Sequence, residues 1–253
     1  MIYKNAEFLN TEEVLQIHDA SLEILEECGV LVRNQKARTR FLKSGCKVDE
    51  DTQIVRMPST LVEELRSKIP STFTFRGRDP KFDKTIPNDA PIIATGSSAP
   101  NIIDPVTGKQ RRALSEDIAR IAHLVNELDG YDVFSISTLA DDAPEGQFSL
   151  SRFYPALKNC VKPVRTSVLN PKEANQILKL GELIAGSKEA YYERQFITFG
   201  ACNIVSPLTM DYDSTEMWMF FNDRSVPVYG GIAPISGLSY PFNLPDSLAL
   251  ANA

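Results

Sequence analysis

The stretch "KPVRTSVLNPKEANQILKLGELIAG", residues 162–186, decides the fold of this chain. Its first part, "KPVRTSVL", is typical of a short strand. The part after Asn170 is typical of an amphipathic helix. A strand followed by a helix is the repeating unit of a parallel sheet with right-handed crossovers. This stretch therefore predicts an α/β fold if the same unit recurs elsewhere.

The strand–helix unit does recur along residues 89–253. The predicted strands are the stretches at 90–96, 131–138, 162–169, 195–205 and 226–233. The predicted helices are the stretches at 114–128, 148–160, 171–186, 213–223 and 244–253. Residues 101–114 indicate two short strands around a turn, and Ser115 is predicted to cap the first helix.

The number of units leaves two architectures open. About five strands can form an open α/β sheet, or they can be part of a TIM (β/α)8-type barrel, which needs eight units. The final stretch "LPDSLALANA" starts like a helix, with Pro245 in its first turn and Asp246 or Ser247 as N-cap, and no C-cap follows. We therefore predict an incomplete barrel, the N-terminal part of a longer protein. Its open parallel edges are expected to make an isolated chain associate.

The first part of the chain does not show the regular alternation of strands and helices. Residues 10–30, 34–45 and 58–70 are typical of helices, and residues 71–78 of a half-buried strand. His18 lies beside the apolar face of the first helix and is interpreted as a packing or rim residue. The predicted domains are an N-terminal helical and α+β extension at 1–88 and the first part of the barrel at 89–253.

Composition excludes several classes of protein. The chain has 253 residues, a formal net charge of −6 and 43% hydrophobic residues, which gives no electrostatic basis for binding nucleic acid or an anionic membrane. No apolar stretch reaches the roughly 18 residues of a membrane span. The start "MIYKNAEFLN" lacks the basic and apolar regions of a secretory signal. A cytoplasmic location is therefore expected.

The cysteines and histidines are too dispersed for a metal site. The sequence has four cysteines and two histidines, without a CxxC pair or another metal-ligand spacing among them. In a reducing compartment the cysteines are expected to be free thiols. Cys202 has no basic partner in view and is interpreted as a packed residue rather than a nucleophile. We expect this chain to ligate no metal.

The chain resembles the trimethylamine methyltransferase (MttB-like) family. The resemblance is carried by the helical start, by "PSTFTFRGRDP" (70–80), by "IIDPVTGKQRRALSEDIARIAHLVNEL" (102–128), by the "SPL" of "ACNIVSPL" (201–208) and by the end that runs from "VPV" to "LANA" (226–253). It extends through nearly the whole chain in order. The resemblance implies a TIM barrel with an N-terminal helical extension, in members substantially longer than this chain.

The resemblance also implies an activity. Members transfer a methyl group from a methylated amine, either trimethylamine or a quaternary amine such as glycine betaine, to the Co(I) form of a corrinoid. A separate corrinoid protein is the implied partner, so the chain itself is expected to bind no cofactor, and a homo-oligomer is expected. An aromatic face would suit a quaternary nitrogen, and backbone N–H groups would suit a carboxylate tail.

Barrel geometry predicts where the substrate binds, because the loops after the strands meet at one face of a barrel. The predicted substrate-binding residues are Gly96, Ser97, Ser98, Asn203, Ser206, Tyr229, Gly230 and Gly231. The residues near 203 and 229 are expected to face the same space, while no catalytic residue is assigned. Trp218 is interpreted as helix packing, and the arginine pair at 111–112 as solvated or facing an acidic partner.

Two other classes of function remain open at this point. The chain could be a non-catalytic, truncated fragment that binds a partner. It could also be an unrelated TIM-barrel or open-sheet enzyme acting on a small metabolite. A cofactor motif such as GxGxxG would favour that second class, and none follows the first predicted strand.

Overall fold

The structure is a computed structural model that describes residues 9–232, 235 and 237–253. The α-helices of this part of the chain are α1 (Thr11–Glu23), α2 (Gln35–Lys43), α3 (Ser59–Ser67), α4 (Ser115–Glu127), α5 (Phe148–Asn159), α6 (Pro171–Ala185), α7 (Lys188–Glu193), α8 (Tyr212–Asn222) and α9 (Leu244–Asn252). The strands are β1 (Val30–Val32), β2 (Lys47–Asp49), β3 (Ile54–Arg56), β4 (Phe73–Phe75), β5 (Lys84–Ile86), β6 (Asn101–Ile103), β7 (Gln110–Arg112), β8 (Phe134–Ser135), β9 (Val164–Ser167), β10 (Ile197–Ala201), β11 (Ile204–Val205), β12 (Thr209–Met210) and β13 (Val228–Gly230). None of the described helices is both long and apolar enough to cross a bilayer.

Contacts divide the chain into two compact units. The parallel-sheet unit comprises Pro70–Ala201 and Met217–Gly230. The terminal unit comprises the residues up to Ile69 together with Cys202–Glu216 and Gly231–Ala253. The predicted division into 1–88 and 89–253 stays a prediction about domains.

The parallel-sheet unit confirms the predicted α/β class. Its four strands pair in the order β8-β9-β10-β13, which is also their order along the chain. All neighbours in this sheet are parallel, and the register places Phe134 and Ile197 on either side of Val164. At least one helix separates each strand from the next in the sequence. The predicted hairpin at 101–114 is also present, as β6 and β7.

The predicted strand at 90–96 forms one isolated bridge, and a second bridge follows it in the chain. Ala94 bridges Val133 and Ala99 bridges Thr138, both in parallel orientation. This segment therefore runs beside β8, where a first strand was expected, without a continuous ladder. One reason is the backbone at Ser98, whose φ of +65° leaves the extended conformation between the two bridges.

The core of the parallel-sheet unit lies between the sheet and its helices. Phe134, Val164 and Phe199 are buried there together with apolar side chains from α4 to α8. The Phe199 ring stacks on Phe221 of α8 with 4.4 Å between centroids. It also lies 5.8 Å from the ring of Phe153 on α5. One aromatic side chain thus joins β10 to two helices.

The arginine pair at 111–112 forms ion pairs within the chain. The Arg111 guanidinium donates to Asp104 at 2.9 Å and to both carboxylate oxygens of Asp117 at 2.7 and 2.8 Å. Arg112 pairs with Asp141 at 2.7 Å. The hydrogen bonds from Arg111 hold the pKa of Asp117 below its ordinary value. Neither interpretation offered from sequence, a solvated pair or an acidic partner, includes these ion pairs, which form within one unit of the chain.

Two helix starts differ from the prediction. At α4, Leu114 holds the N-cap position, and its N–H donates to the Asp117 carboxylate at 2.8 Å. Ser115 is not the cap, because its hydroxyl donates to Asp142 at 2.7 Å instead. At α9, the cap is Asn243 rather than Asp246 or Ser247, although Pro245 lies in the first turn as predicted. In both cases a nearby carboxylate or amide provides the acceptor for the free N–H groups.

The terminal unit is built around a mixed five-stranded sheet of order β11-β12-β1-β3-β2. β12 runs parallel to β1, with Leu31 paired to Thr209. The predicted strand at 195–205 was therefore wrong beyond Ala201, since Ile204–Val205 belongs to this second sheet. The reason is the edge of β1, whose free N–H and C=O groups are paired by the hairpin of β11 and β12. The turn of that hairpin holds the cis Ser206–Pro207 bond.

Helix α1 begins as predicted and packs on α9. Asn10 caps it, accepting from the Glu13 N–H at 3.0 Å. The Ser21 hydroxyl donates to the Ala249 carbonyl at 2.9 Å. His18 pairs with Glu63 of α3 at a half-buried position, which agrees with its interpretation as a rim residue.

Gly29 ends the first helix at a position that excludes a side chain. α1 continues as one π-helical turn, Ile24–Cys28, and Gly29 follows with φ at +75°. A Cβ there would lie 2.6 Å from the Val55 carbonyl oxygen. Gly29→Ala is therefore expected to lower the free energy of unfolding by about 1–3 kcal/mol, measured by urea denaturation.

Gly108→Ala is the matched control for Gly29→Ala. Gly108 also has a positive φ, of +69°, but a Cβ there would meet no atom within 4 Å. This control is expected to lose only the backbone strain, about 1 kcal/mol. Equal losses at the two positions would contradict the close approach of Gly29 to Val55.

Candidate functional site

The parallel sheet has two chemically different faces. Successive side chains of a strand alternate between faces, and paired residues of parallel strands share one. Since Phe134, Val164 and Phe199 pack against the helices, their neighbours in sequence point to the opposite face. Those neighbours are Ser135, Arg165, Thr198, Gly200 and Tyr229, with Ser135 opposite Arg165 and Gly200 opposite Tyr229 in the register. The face away from the helices is therefore largely polar.

Arg165 lies at the centre of this polar face. Its Nε donates to the Ser135 hydroxyl oxygen at 2.6 Å. Its guanidinium carbon lies 4.8 Å from the centroid of the Tyr229 ring, within the range of a cation–π contact. The side chain is half-buried. Arg165 forms no ion pair with any residue that the structure describes.

Gly200 provides the space for the Tyr229 ring. A Cβ on Gly200 would lie 2.6 Å from both Cζ and Oη of Tyr229. The ring therefore lies across β10 and reaches towards Arg165 on β9. The alternation in "VPVYGG" did not determine on which face Tyr229 lies, and the structure places it on the polar face.

A cavity of about 370 Å³ adjoins the polar face. Arg165 and Val133 line it from the sheet, while Phe75 and Asn88 line it from the β4–β5 region. This volume falls within the usual range for small-molecule sites. A small ligand can therefore reach Arg165 from this side.

A second arginine, Arg152 of α5, lies on the helix side of the sheet. It is only 1% exposed, and its Nη2 donates to the Thr166 hydroxyl oxygen at 2.6 Å. Burial lowers the pKa of its guanidinium to about 10. Arg152 packs behind the strand, whereas Arg165 faces the cavity.

Five of the predicted site residues belong to the parallel-sheet unit. Gly96, Ser97 and Ser98 lie between the two isolated bridges, and all three are exposed. Tyr229 and Gly230 lie in β13. A Cβ on Gly230 would meet the Trp218 ring at 2.6 Å, so this glycine serves packing against α8. Trp218 also donates to the Ala201 carbonyl at 3.3 Å, which agrees with its interpretation as a packing residue.

The other three predicted residues belong to the terminal unit. Asn203 precedes β11, and its carbonyl accepts from the Asp211 N–H at 2.8 Å. Ser206 lies in the hairpin turn, and its hydroxyl donates to the Ser239 carbonyl. Gly231 is exposed. That these residues share a substrate site with Tyr229 stays a prediction.

The thiols are all free, as predicted, but Cys202 is not packed. Cys46 and Cys160 are buried, and burial raises the pKa of both thiols. Cys202 is exposed just after β10, so its interpretation as a packed residue was wrong. In the part of the chain that the structure describes, no three His, Cys, Asp or Glu side chains are grouped as metal ligands.

Sequence reasoning missed Arg165 and Ser135 as candidates. A signal was present, because alternation in "KPVRTSVL" puts Arg165 on the face opposite Val164, and a charged side chain there needs a partner or a ligand. The prediction considered only the loops after each strand, where barrel enzymes usually bind their substrates, and not the residues within the strands.

A parallel sheet that alternates with helices and presents polar side chains on its other face is typical of α/β enzymes. The sequence model of the family described as trimethylamine methyltransferase (MTTB) matches residues 2–253. The chain belongs to this family.

Curated relatives support the same assignment. The trimethylamine methyltransferase MttB of Desulfitobacterium hafniense (strain DSM 10664 / DCB-2) is 26% identical over 95% of this chain and 48% of its own length. The glycine betaine methyltransferase of Desulfitobacterium hafniense (strain Y51) is 25% identical over 97% of this chain and 50% of its own length. The MttB of Methanosarcina barkeri (strain Fusaro / DSM 804) is 28% identical, over 96% and 50%. The chain thus spans about half the length of these relatives.

Proposed function

We propose that the protein containing this chain transfers a methyl group from a methylated amine to the Co(I) form of a corrinoid held by a partner protein. Family membership over residues 2–253 is the observation that carries this proposal. The names of the relatives, trimethylamine and glycine betaine methyltransferase, support a methylated amine as donor.

The strand order supports a (β/α)8 barrel as the complete fold. In doubly wound sheets the strand order reverses at a switch point. The described strands β8, β9, β10 and β13 instead follow each other without reversal, as successive strands of a barrel do. On this proposal the polar face of the sheet lines the inside of the barrel, and Tyr229 and Arg165 point inward.

The proposed reaction requires little acid–base chemistry from the protein. The C–N bond breaks with its electron pair left on nitrogen, so a quaternary ammonium leaves as a neutral tertiary amine, and trimethylamine leaves as neutral dimethylamine only when it is bound in its protonated form. The Co(I) corrinoid of the partner protein would supply the electron pair that bonds to the methyl carbon. The contribution of this chain would be to bind the amine and orient one methyl group. The polar face offers hydroxyl, guanidinium and aromatic groups for that task.

Spectra of the corrinoid protein test this proposal. The full-length protein is mixed with its corrinoid protein in the Co(I) state and with a panel that includes trimethylamine and glycine betaine. We expect loss of the Co(I) spectrum with at least one amine, and no change when the amine or the enzyme is left out. An unchanged spectrum with the whole panel would contradict the proposal and leave the non-catalytic alternative.

A further inference from the structure

We propose that Arg165 binds the carboxylate of the substrate, so that the site selects methylated amines carrying a carboxylate over those without one. This inference rests on the proposed methyl transfer and specifies its substrate class. It starts from an arginine whose charge is unpaired among the described residues, on a face that a small molecule can reach.

The guanidinium of Arg165 has donors left for a ligand. Its Nε is engaged by Ser135, and neither Nη1 nor Nη2 forms a hydrogen bond to another residue in the described part of the chain. A guanidinium binds a carboxylate through two parallel N–H···O bonds, which makes arginine the preferred side chain for this group. A half-buried arginine without a counter-charge is therefore a fitting partner for an anionic ligand.

The contact with Tyr229 determines which charge a ligand group can carry at this position. The guanidinium already lies 4.8 Å from the centroid of the ring. A substrate ammonium group on the same ring face would stand close to a like charge and be repelled. The pair of Arg165 and Tyr229 thus favours the negative end of a zwitterion and turns the methylated nitrogen away from the sheet.

The surrounding residues hold the guanidinium in place before a ligand arrives. Ser135 holds Nε on one side and the Tyr229 ring covers the group on the other, while Gly200 leaves room for that ring. A preorganised group loses less conformational entropy on binding. The neighbouring cavity of about 370 Å³ gives a small zwitterion room to approach.

Glycine betaine and choline are matched probes for this inference. Both carry a trimethylammonium group, and only glycine betaine carries a carboxylate. Titration calorimetry of the full-length protein is expected to give at least roughly 10-fold tighter binding of glycine betaine. Arg165→Gln should weaken glycine betaine binding by roughly 10- to 100-fold and leave choline nearly unchanged.

Two further variants separate a ligand role from a structural one. Arg165→Lys keeps the charge without the fork of donors, and we expect it to retain part of the preference for glycine betaine. Arg120→Gln removes an exposed arginine of α4 that pairs with Glu116, and it should leave both affinities unchanged. Circular dichroism of each variant reports whether the fold is intact.

The outcomes distinguish this inference from the proposed function. Equal binding of the two probes by the unmodified protein, or unchanged glycine betaine binding in Arg165→Gln, would overturn the inference even where methyl transfer from trimethylamine proceeds. Glycine betaine binding that depends on Arg165 would support the inference even where no amine changes the Co(I) spectrum, and only the methyl transfer would then be refuted.

Discussion

Replacing Phe199 by alanine is expected to lower the free energy of unfolding by about 3–5 kcal/mol, the usual cost of emptying a large aromatic site in a core. The Phe199 side chain is fully buried, and its ring contacts those of Phe221 and Phe153 at centroid distances of 4.4 and 5.8 Å. The vacated volume would lie between β10 and two helices, whose backbones cannot close it. Chemical denaturation of the variant measures this loss.

Phe73→Ala is the matched control for Phe199→Ala. It removes the same side chain from β4, where Phe73 is 37% exposed. We expect a loss of about 1 kcal/mol or less, because this side chain is already partly exposed to solvent and its removal leaves no enclosed cavity. Losses of similar size at positions 73 and 199 would show that Phe199 does not occupy the core described above.

Replacing Lys162 by methionine is expected to lower the free energy of unfolding by about 2–4 kcal/mol. Lys162 is 3% exposed, and its ammonium donates to three carbonyl oxygens, those of Val125 at 2.9 Å, Leu128 at 2.6 Å and Tyr131 at 2.7 Å. It satisfies carbonyl groups at and after the C-terminal end of α4, which have no partner within the helix. Methionine fills similar volume but leaves these acceptors unpaired, and the relief from burying a charge offsets only part of the loss.

Lys158→Met provides the comparison for Lys162→Met. Lys158 is exposed on α5, 5.9 Å from the centroid of the Tyr154 ring, so its loss should change stability by less than about 0.5 kcal/mol. Thermal and urea denaturation of both variants measure the contrast. A Lys162→Met protein as stable as the Lys158→Met protein would refute the role of Lys162 in pairing the carbonyl groups at and after the C-terminal end of α4.

Local patterns predicted most of the parallel-sheet unit. The helices α4, α5 and α6 and the strands β8, β9 and β13 lie within the predicted stretches, and α8 begins one residue before its stretch, because apolar residues repeat with the period of each element. The predictions were wrong where a segment distant in sequence determines which sheet a strand joins. The stretch at 195–205 is largely apolar at both of its ends, and only the free edge of β1 in the terminal unit explains why its last residues leave β10 for another sheet.

The candidate site was less predictable than the fold. Tyr229 and Gly200 lie far apart in sequence, so no local pattern indicates that one makes room for the other. Arg165 is a candidate binding residue only because two other strands place the hydroxyl of Ser135 and the ring of Tyr229 beside it. Such cross-strand arrangements depend on register, and a shift of one residue would reverse every side chain.

The discontinuous terminal unit has a consequence for biosynthesis. β1 takes Thr209–Met210 as its parallel neighbour, and α1 packs on Leu244–Asn252. At a synthesis rate of about 5–20 residues per second, these partners emerge from the ribosome on the order of ten seconds or more after the N-terminal segment. Throughout that interval the edge of β1 is unpaired and open to chaperones or to strands of other nascent chains. The parallel-sheet unit needs only Met217–Gly230 beyond its continuous stretch Pro70–Ala201, so all of its residues have emerged before those of α9.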